Sequence, residues 1–240
     1  MRARLASVAA LAAAGLLVFS GCGRAQPGVA AYVGNTDIPE TRVTAIIDEV
    51  KDAIGEAEPA RLPKRGVVVS TLVLNDVCAR FSADDKLKPQ NQITPQQVAQ
   101  AFGVPENAAY AQETAKLHTC LSGLPAGEPV APTAEDLAEI VARGKEAGAI
   151  PKDVPNEQAA AQLDGDQLRA ALANRKVLAD AVARYDVTVN PRYRPLEFPV
   201  LSFQGNAAAV TVPVGEADSG AVKNVSTVAP APDGSAAPGA

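Results

Sequence analysis

The chain has 240 residues, with 22 Lys and Arg against 27 Asp and Glu, a formal charge of −5, one His, three Cys and no Trp. That length allows one medium domain with its own core plus tails. An acidic chain without a basic run is a poor partner for nucleic acid, and equally poor at holding an anionic membrane through its own side chains. Aromatic residues are few, so the core must come from Val, Leu, Ile and Ala. Ala-rich periodic segments separated by Pro and Gly favour helices over a sandwich.

Residues 1–21 read as a lipoprotein signal peptide. Arg2 and Arg4 supply the positive start, Leu5 to Phe19 the apolar stretch, and Ser20-Gly21-Cys22 the small-residue pair and cysteine that a lipoprotein signal peptidase needs. Fifteen residues are too few to span a bilayer comfortably, and no later run is expected to serve as a membrane helix. Cleavage leaves Cys22 first, as the palmitate-bearing lipidation site. With Arg2 and Arg4 gone the formal charge moves from −5 to −7, since every acid lies beyond residue 21. Residues 22–28 then form a tether. Gly23 to Gly28 at about 3.3 to 3.6 Å per residue reach no more than about 20 Å, which keeps the domain, residues 29–200, near the extracytoplasmic face of the cell membrane. The bilayer, through lipidated Cys22, is the first expected partner.

The domain opens on Ala30-Ala31-Tyr32-Val33, a β-prone run reaching Gly34-Asn35, a pair suited to a tight turn. Ile38-Pro39 predicts a helix start with Pro near the first position. Val43, Ile46, Ile47, Val50 and Ile54 then share one helical face. Residues 64–82 hold Val69, Val73, Val77 and Phe81 at a four-residue step, so this run is read as a nearly buried helix despite its strand-like Val67 to Leu74. After a polar loop, Thr94-Pro95-Gln96-Gln97 is a capping box with Pro at the first position, and Gly103 ends that helix. Glu106 to Leu121 predicts a further helix, and Thr133-Ala134-Glu135-Asp136 starts another, with Leu137, Ile140 and Val141 inside. Residues 148–163 read as a loop with one short helical piece, and Asp166 to Tyr185 as a long helix. Asp186 to Asn190 alternates as a second strand before Pro191. Two lone strands at opposite ends of a helical domain are unstable unless they pair, which would bring the chain ends together. Residues 201–240, rich in Ala, Pro and Gly, read as a disordered tail in which Val210 to Val214 is at most a stray strand.

Several of these segments carry a resemblance. Tyr32-Val33-Gly34-Asn35 with Ile38-Pro39-Glu40, the run Val73-Leu74-Asn75-Asp76-Val77, and the closing Val187-Thr188-Val189-Asn190-Pro191-Arg192-Tyr193 resemble the SurA N-terminal domain family, in its lipoprotein form from high-GC Gram-positive bacteria. The order Gly34-Asn35 is reversed relative to the family, Pro39 replaces its hydroxyl residue, and Arg194 stands where Gly is usual. The resemblance implies a mainly α, SurA N-terminal-like helical domain closed by a small two-stranded β element. It also implies chaperone-like (holdase) binding of unfolded or extended exported polypeptides. The parvulin isomerase domain of some members would need about 90 further folded residues, which this chain does not offer.

For chemistry the residues offer little. No nucleophile elbow, Ser-x-x-Lys, His-Glu-x-x-His, phosphate loop or Cys-x-x-Cys occurs, and His118, the lone histidine, reads as an ordinary helix residue. The chain is therefore expected to be no enzyme, to need no cofactor or metal and to have no identified small-molecule substrate. Cys78 and Cys120 are expected as a disulfide in an oxidising compartment, with two buried thiols or a metal site shared with His118 as alternatives. The function from another class is a cell-envelope scaffold or partner-binding lipoprotein. A holdase calls for exposed apolar patches of several hundred Å², whereas a closed, polar surface favours the scaffold.

Overall fold

A computed structural model of the protein describes residues 27–55, 62–125, 127–204 and 207–215. The leader, Cys22 and everything beyond residue 215 lie outside the described residues. The Gly34-Asn35 turn forms, with Gly34 at φ +57°, but the residues after it make a strand rather than a helix start. Strand β1 (Val29–Val33) pairs antiparallel with β2 (Thr36–Pro39), Val33 opposite Thr36. Pro39 stays extended at φ −75°, ψ 146°, and helix α1 (Glu40–Ile54) begins one residue later than the sequence predicts. The other edge of β1 takes β3 (Val187–Val189), with Ala31 opposite Val189 and Val33 opposite Val187. The expected two-stranded element is thus a three-stranded sheet of order β2-β1-β3. Tight-turn chemistry explains the added strand: a two-residue turn sends the chain straight back along β1, and residues 36–39 pair before the helix begins.

Helix α2 (Arg65–Asp85) has the length and apolar character of a membrane span, contrary to the expectation that no run beyond the leader has them. Ten of its residues, from Val68 to Cys78, are buried, which makes it the central helix of the core. Helix α3 (Pro95–Phe102) carries the predicted capping box between Thr94 and Gln97 and stops at Gly103, left-handed at φ +67°. Then come α4 (Ala109–Leu121), α5 (Ala134–Glu146) and α6 (Asn156–Leu163), and finally α7 (Asp166–Arg184). Val33, Val43, Val50, Val69, Val73 and Leu117 are at most 1% exposed in one large core made by α1, α2, α4 and the sheet. Each such side chain contributes about 1.5 to 3 kcal/mol relative to leaving it in water.

The domain does not end at residue 200. Strands β4 (Glu197–Ser202) and β5 (Ala208–Pro213) form an antiparallel hairpin, and Ala209, Val210, Val212 and Val214 are buried. The tail expected over 201–240 is corrected accordingly for residues 201–204 and 207–215. Composition hid this segment, because a strand of six residues needs only an alternating Val face to be buried, and the surrounding Ala, Gly and Pro diluted that signal. Ile140, Leu168, Ala171, Leu172, Ala209 and Val210 make a second, smaller apolar cluster. Helix α7 serves both: Leu168 and Leu172 in its first half face the small cluster, Leu178 and Val182 in its second half the large core. The described chain leaves through Gly215, at φ +102°. A Cβ there would lie 2.6 Å from a Val189 methyl, so no other residue fits without displacement.

Candidate functional site

A cleft of about 520 Å³ lies between α5, α7 and the β4–β5 hairpin. Its floor is the small cluster, with Ile140, Leu172 and Val210. The walls are charged because the same residues build the helices. Thr133 and Asp136 cap α5 reciprocally, the Thr133 backbone N–H donating to Asp136 Oδ2 at 2.9 Å and the Asp136 N–H to Thr133 Oγ1 at 3.0 Å. The second Asp136 oxygen accepts from Arg175 Nη2 on α7 at 2.7 Å, so one carboxylate both starts α5 and ties it across the cleft. Burial works to raise the Asp136 carboxyl, yet the Thr133 bonds and the Arg175 charge hold its pKa below the ordinary 3.8.

Further along α5, Arg143 reaches three elements. Its Nη2 donates to Glu139 Oε1 at 2.7 Å, its Nη1 to Thr211 Oγ1 on β5 at 3.1 Å, and both nitrogens approach the Glu197 carboxylate on β4 at 3.3 Å. Burial opposes its charge, but Glu197 and Glu139 raise the guanidinium pKa above its usual value. The charges of the rim are therefore largely satisfied by one another. Thr211 and Pro213 of β5 also line the cleft together with Glu197 of β4, which stands opposite Pro213, so the hairpin turns one of its faces toward it. An apolar floor and a polar rim suit an extended polypeptide, whose backbone needs hydrogen bonds and whose alternate side chains need pockets.

A second polar assembly locks the chain after β3 to the start of α1. Glu40 Oε2 accepts from the Tyr193 hydroxyl at 2.7 Å and from Arg65 Nη2 at 2.8 Å, while Arg192 Nη1 stands 3.4 Å from Oε1. Burial works to raise the Glu40 carboxyl, but these bonds and charges bring its pKa below the usual 4.5. Asn75, from the segment carrying the family resemblance, is 5% exposed and donates to the Glu113 carbonyl and Oε2 at 2.9 and 2.8 Å, tying α2 to α4. Its Nδ2 group thereby satisfies two acceptors at the buried junction of the two helices, while its Oδ1 has no hydrogen-bond partner among the described residues.

Cys78 and Cys120 are joined in a disulfide between α2 and α4, with Cα atoms 6.3 Å apart, within the usual span for such a bond. With both sulfurs bonded, the alternative of thiolates sharing a metal with His118 loses its ligands. Among the described residues no group of three His, Cys, Asp or Glu side chains is placed to hold a metal ion. His118 is exposed on α4 and lines a small cavity together with Leu121, Leu124, Leu178 and Phe198, and desolvation lowers its pKa below 6.5. Cys22, the expected lipidation site, lies outside the described residues. Sequence reasoning missed Asp136 as a bridge, and Arg143 and Thr211 altogether. The capping box marked Asp136, but nothing local tied residues 136, 143, 175, 197 and 211 to one place. Comparison of the chain with family models, with curated proteins and with solved structures finds no match.

Proposed function

We propose that the protein is a membrane-anchored, extracytoplasmic lipoprotein, tethered through Cys22, that binds an extended segment of a partner polypeptide in the cleft between α5, α7 and β5. The observation that carries this reading is the cleft itself, with apolar Ile140, Leu172 and Val210 below, satisfied charges at the rim and one face of the β4–β5 hairpin along one wall. Between the two functions the sequence suggests, surface chemistry favours the partner-binding lipoprotein over the broad holdase. Among the described residues the large hydrophobic side chains more than a third exposed are Val67, Phe102 and Val130, and only Val130 borders the cleft. A holdase for many clients calls for far more apolar surface. The SurA-like resemblance keeps the holdase as the competing outcome.

The test is site-specific photocrosslinking in intact cells from Lys176, at the cleft rim, followed by mass spectrometry. One stoichiometric polypeptide adduct, weakened by Leu172→Asp, is the expected result. A spread of many exported proteins would shift the reading to the holdase, and no polypeptide adduct at all would remove the cleft from consideration.

A further inference from the structure

We infer that the end of the domain where the tether joins is a basic face that lies against anionic lipid headgroups, with Lys64, Arg65, Arg192 and Arg194 as its cations. The inference rests on the tethered reading for its orientation. The four residues come from two stretches far apart in the chain, Arg65 and Tyr193 being separated by 128 positions, and a scan for basic runs sees nothing across such a gap. The fold brings Arg65 and Arg192 to Glu40, with Lys64 and Arg194 beside them in the chain. Arg65 and Arg192 approach that single carboxylate at 2.8 and 3.4 Å, so two cations share one anion. Arg194 Nε donates to the Val189 carbonyl at 3.0 Å, on the strand beside β1, and Lys64 is exposed at the start of α2. The Glu40 N–H donates to the Gly28 carbonyl at 2.8 Å, which places this cluster at the first described residues after the tether. Arg65 and Arg192 keep 45% and 54% of their side chains exposed.

Helix stability does not explain the arrangement. Lys64 and Arg65 sit at the N-terminal end of α2, where the helix dipole disfavours positive charge, and Asp84 and Asp85 at the C-terminal end, where it disfavours negative charge. In a chain whose tethered form carries −7, a positive end next to the lipid anchor orients the domain on a negative surface. Val67, 44% exposed in the first turn of α2, adds an apolar contact at the same end.

The experiment uses the chain from residue 22 to its C-terminus with Cys22→Ser, so that no acyl chain contributes, and sedimentation with phosphatidylcholine vesicles with or without about 30% phosphatidylglycerol. Binding to the anionic vesicles alone is expected, falling as salt is raised from about 50 to 300 mM. Lys64→Gln with Arg192→Gln should weaken it roughly 25-fold, at about fivefold per cation. Lys88→Gln with Lys152→Gln, of equal charge and with Lys88 beyond the far end of α2, should leave it unchanged. Equal loss in both pairs, equal binding to neutral vesicles, or no binding to either would overturn the proposal. Fatty-acid labelling of wild-type Cys22 separately tests the anchor: labelled protein whose unlipidated form ignores anionic vesicles keeps the tether and loses the basic face.

Discussion

The large core and the small cluster solve the same problem differently. In the large core, α2 is surrounded by α1, α4, the three-stranded sheet and the second half of α7, and a disulfide fixes it to α4. In the small cluster, six buried residues lie under an open cleft, and Asp136 and Arg143 hold its walls together through ion pairs. Apolar packing is rigid and indifferent to pH, whereas charges that satisfy one another across an open groove can exchange partners when a ligand arrives. The buried region supplies stability, and the wetter one is where the proposed binding has room to occur.

The sharpest way to break this contrast is to end the chain after Phe203. That removes β5 with Ala209, Val210, Val212 and Val214, and the loss should reach about 5 kcal/mol, read as a fall in the urea midpoint. An unchanged midpoint would mean that the hairpin only decorates the domain. Next in size is the double change Cys78→Ala and Cys120→Ala. The bond spans 42 positions, and chain-entropy estimates put its contribution near ~4 kcal/mol. Denaturation curves of oxidised and double-variant protein check it, and coincident curves would show that α2 and α4 need no link.

A matched pair of truncations sharpens the comparison. Leu74→Ala, inside the large core, should cost about 3 to 5 kcal/mol, and Leu172→Ala, beside the cleft, about 2 to 3, because a wall next to open space collapses more readily onto the gap. Equal losses would mean that the two regions are equally rigid. The smallest effect concerns acid. Glu40 and Asp136 have lowered pKa values when folded, so each contributes stability that is present above its unfolded value, near 4.5 and 3.8, and is lost as pH falls through the folded value. Glu40→Gln and Asp136→Asn should therefore each flatten the decline in melting temperature below about pH 4.5. A decline as steep as in the wild type would assign the acid sensitivity to other carboxylates.

Much of the helical architecture was legible because helices announce themselves locally. Val43, Ile46 and Val50 sit at helical spacing, and Thr94 with Gln97, and Thr133 with Asp136, mark starts through bonds only three residues long. The strands β2, β4 and β5 were harder, since a strand of four to six residues is stabilised by a neighbour that the local sequence does not name. The cleft was least legible of all. Arg143 meets Glu197 and Thr211 across 54 and 68 positions, and no periodicity in the sequence registers such a meeting. The assembly of Glu40, Arg65 and Tyr193 escaped for the same reason, although Tyr193 closes a segment that carries the family resemblance.

The place of β1 in its sheet has a consequence for the order in which the chain can fold. For a chain delivered N-terminus first, the earliest strand to emerge is the middle one, and only β2 is at hand to pair with it. Its second partner is β3, and Asn190 completes the seam by donating to the Val29 carbonyl 161 positions back. Gly215 then packs over Val189. The first strand must therefore wait, half-paired, while nearly the whole domain is synthesised, and the anchor proposed at Cys22 would hold that waiting strand in place until its partner arrives.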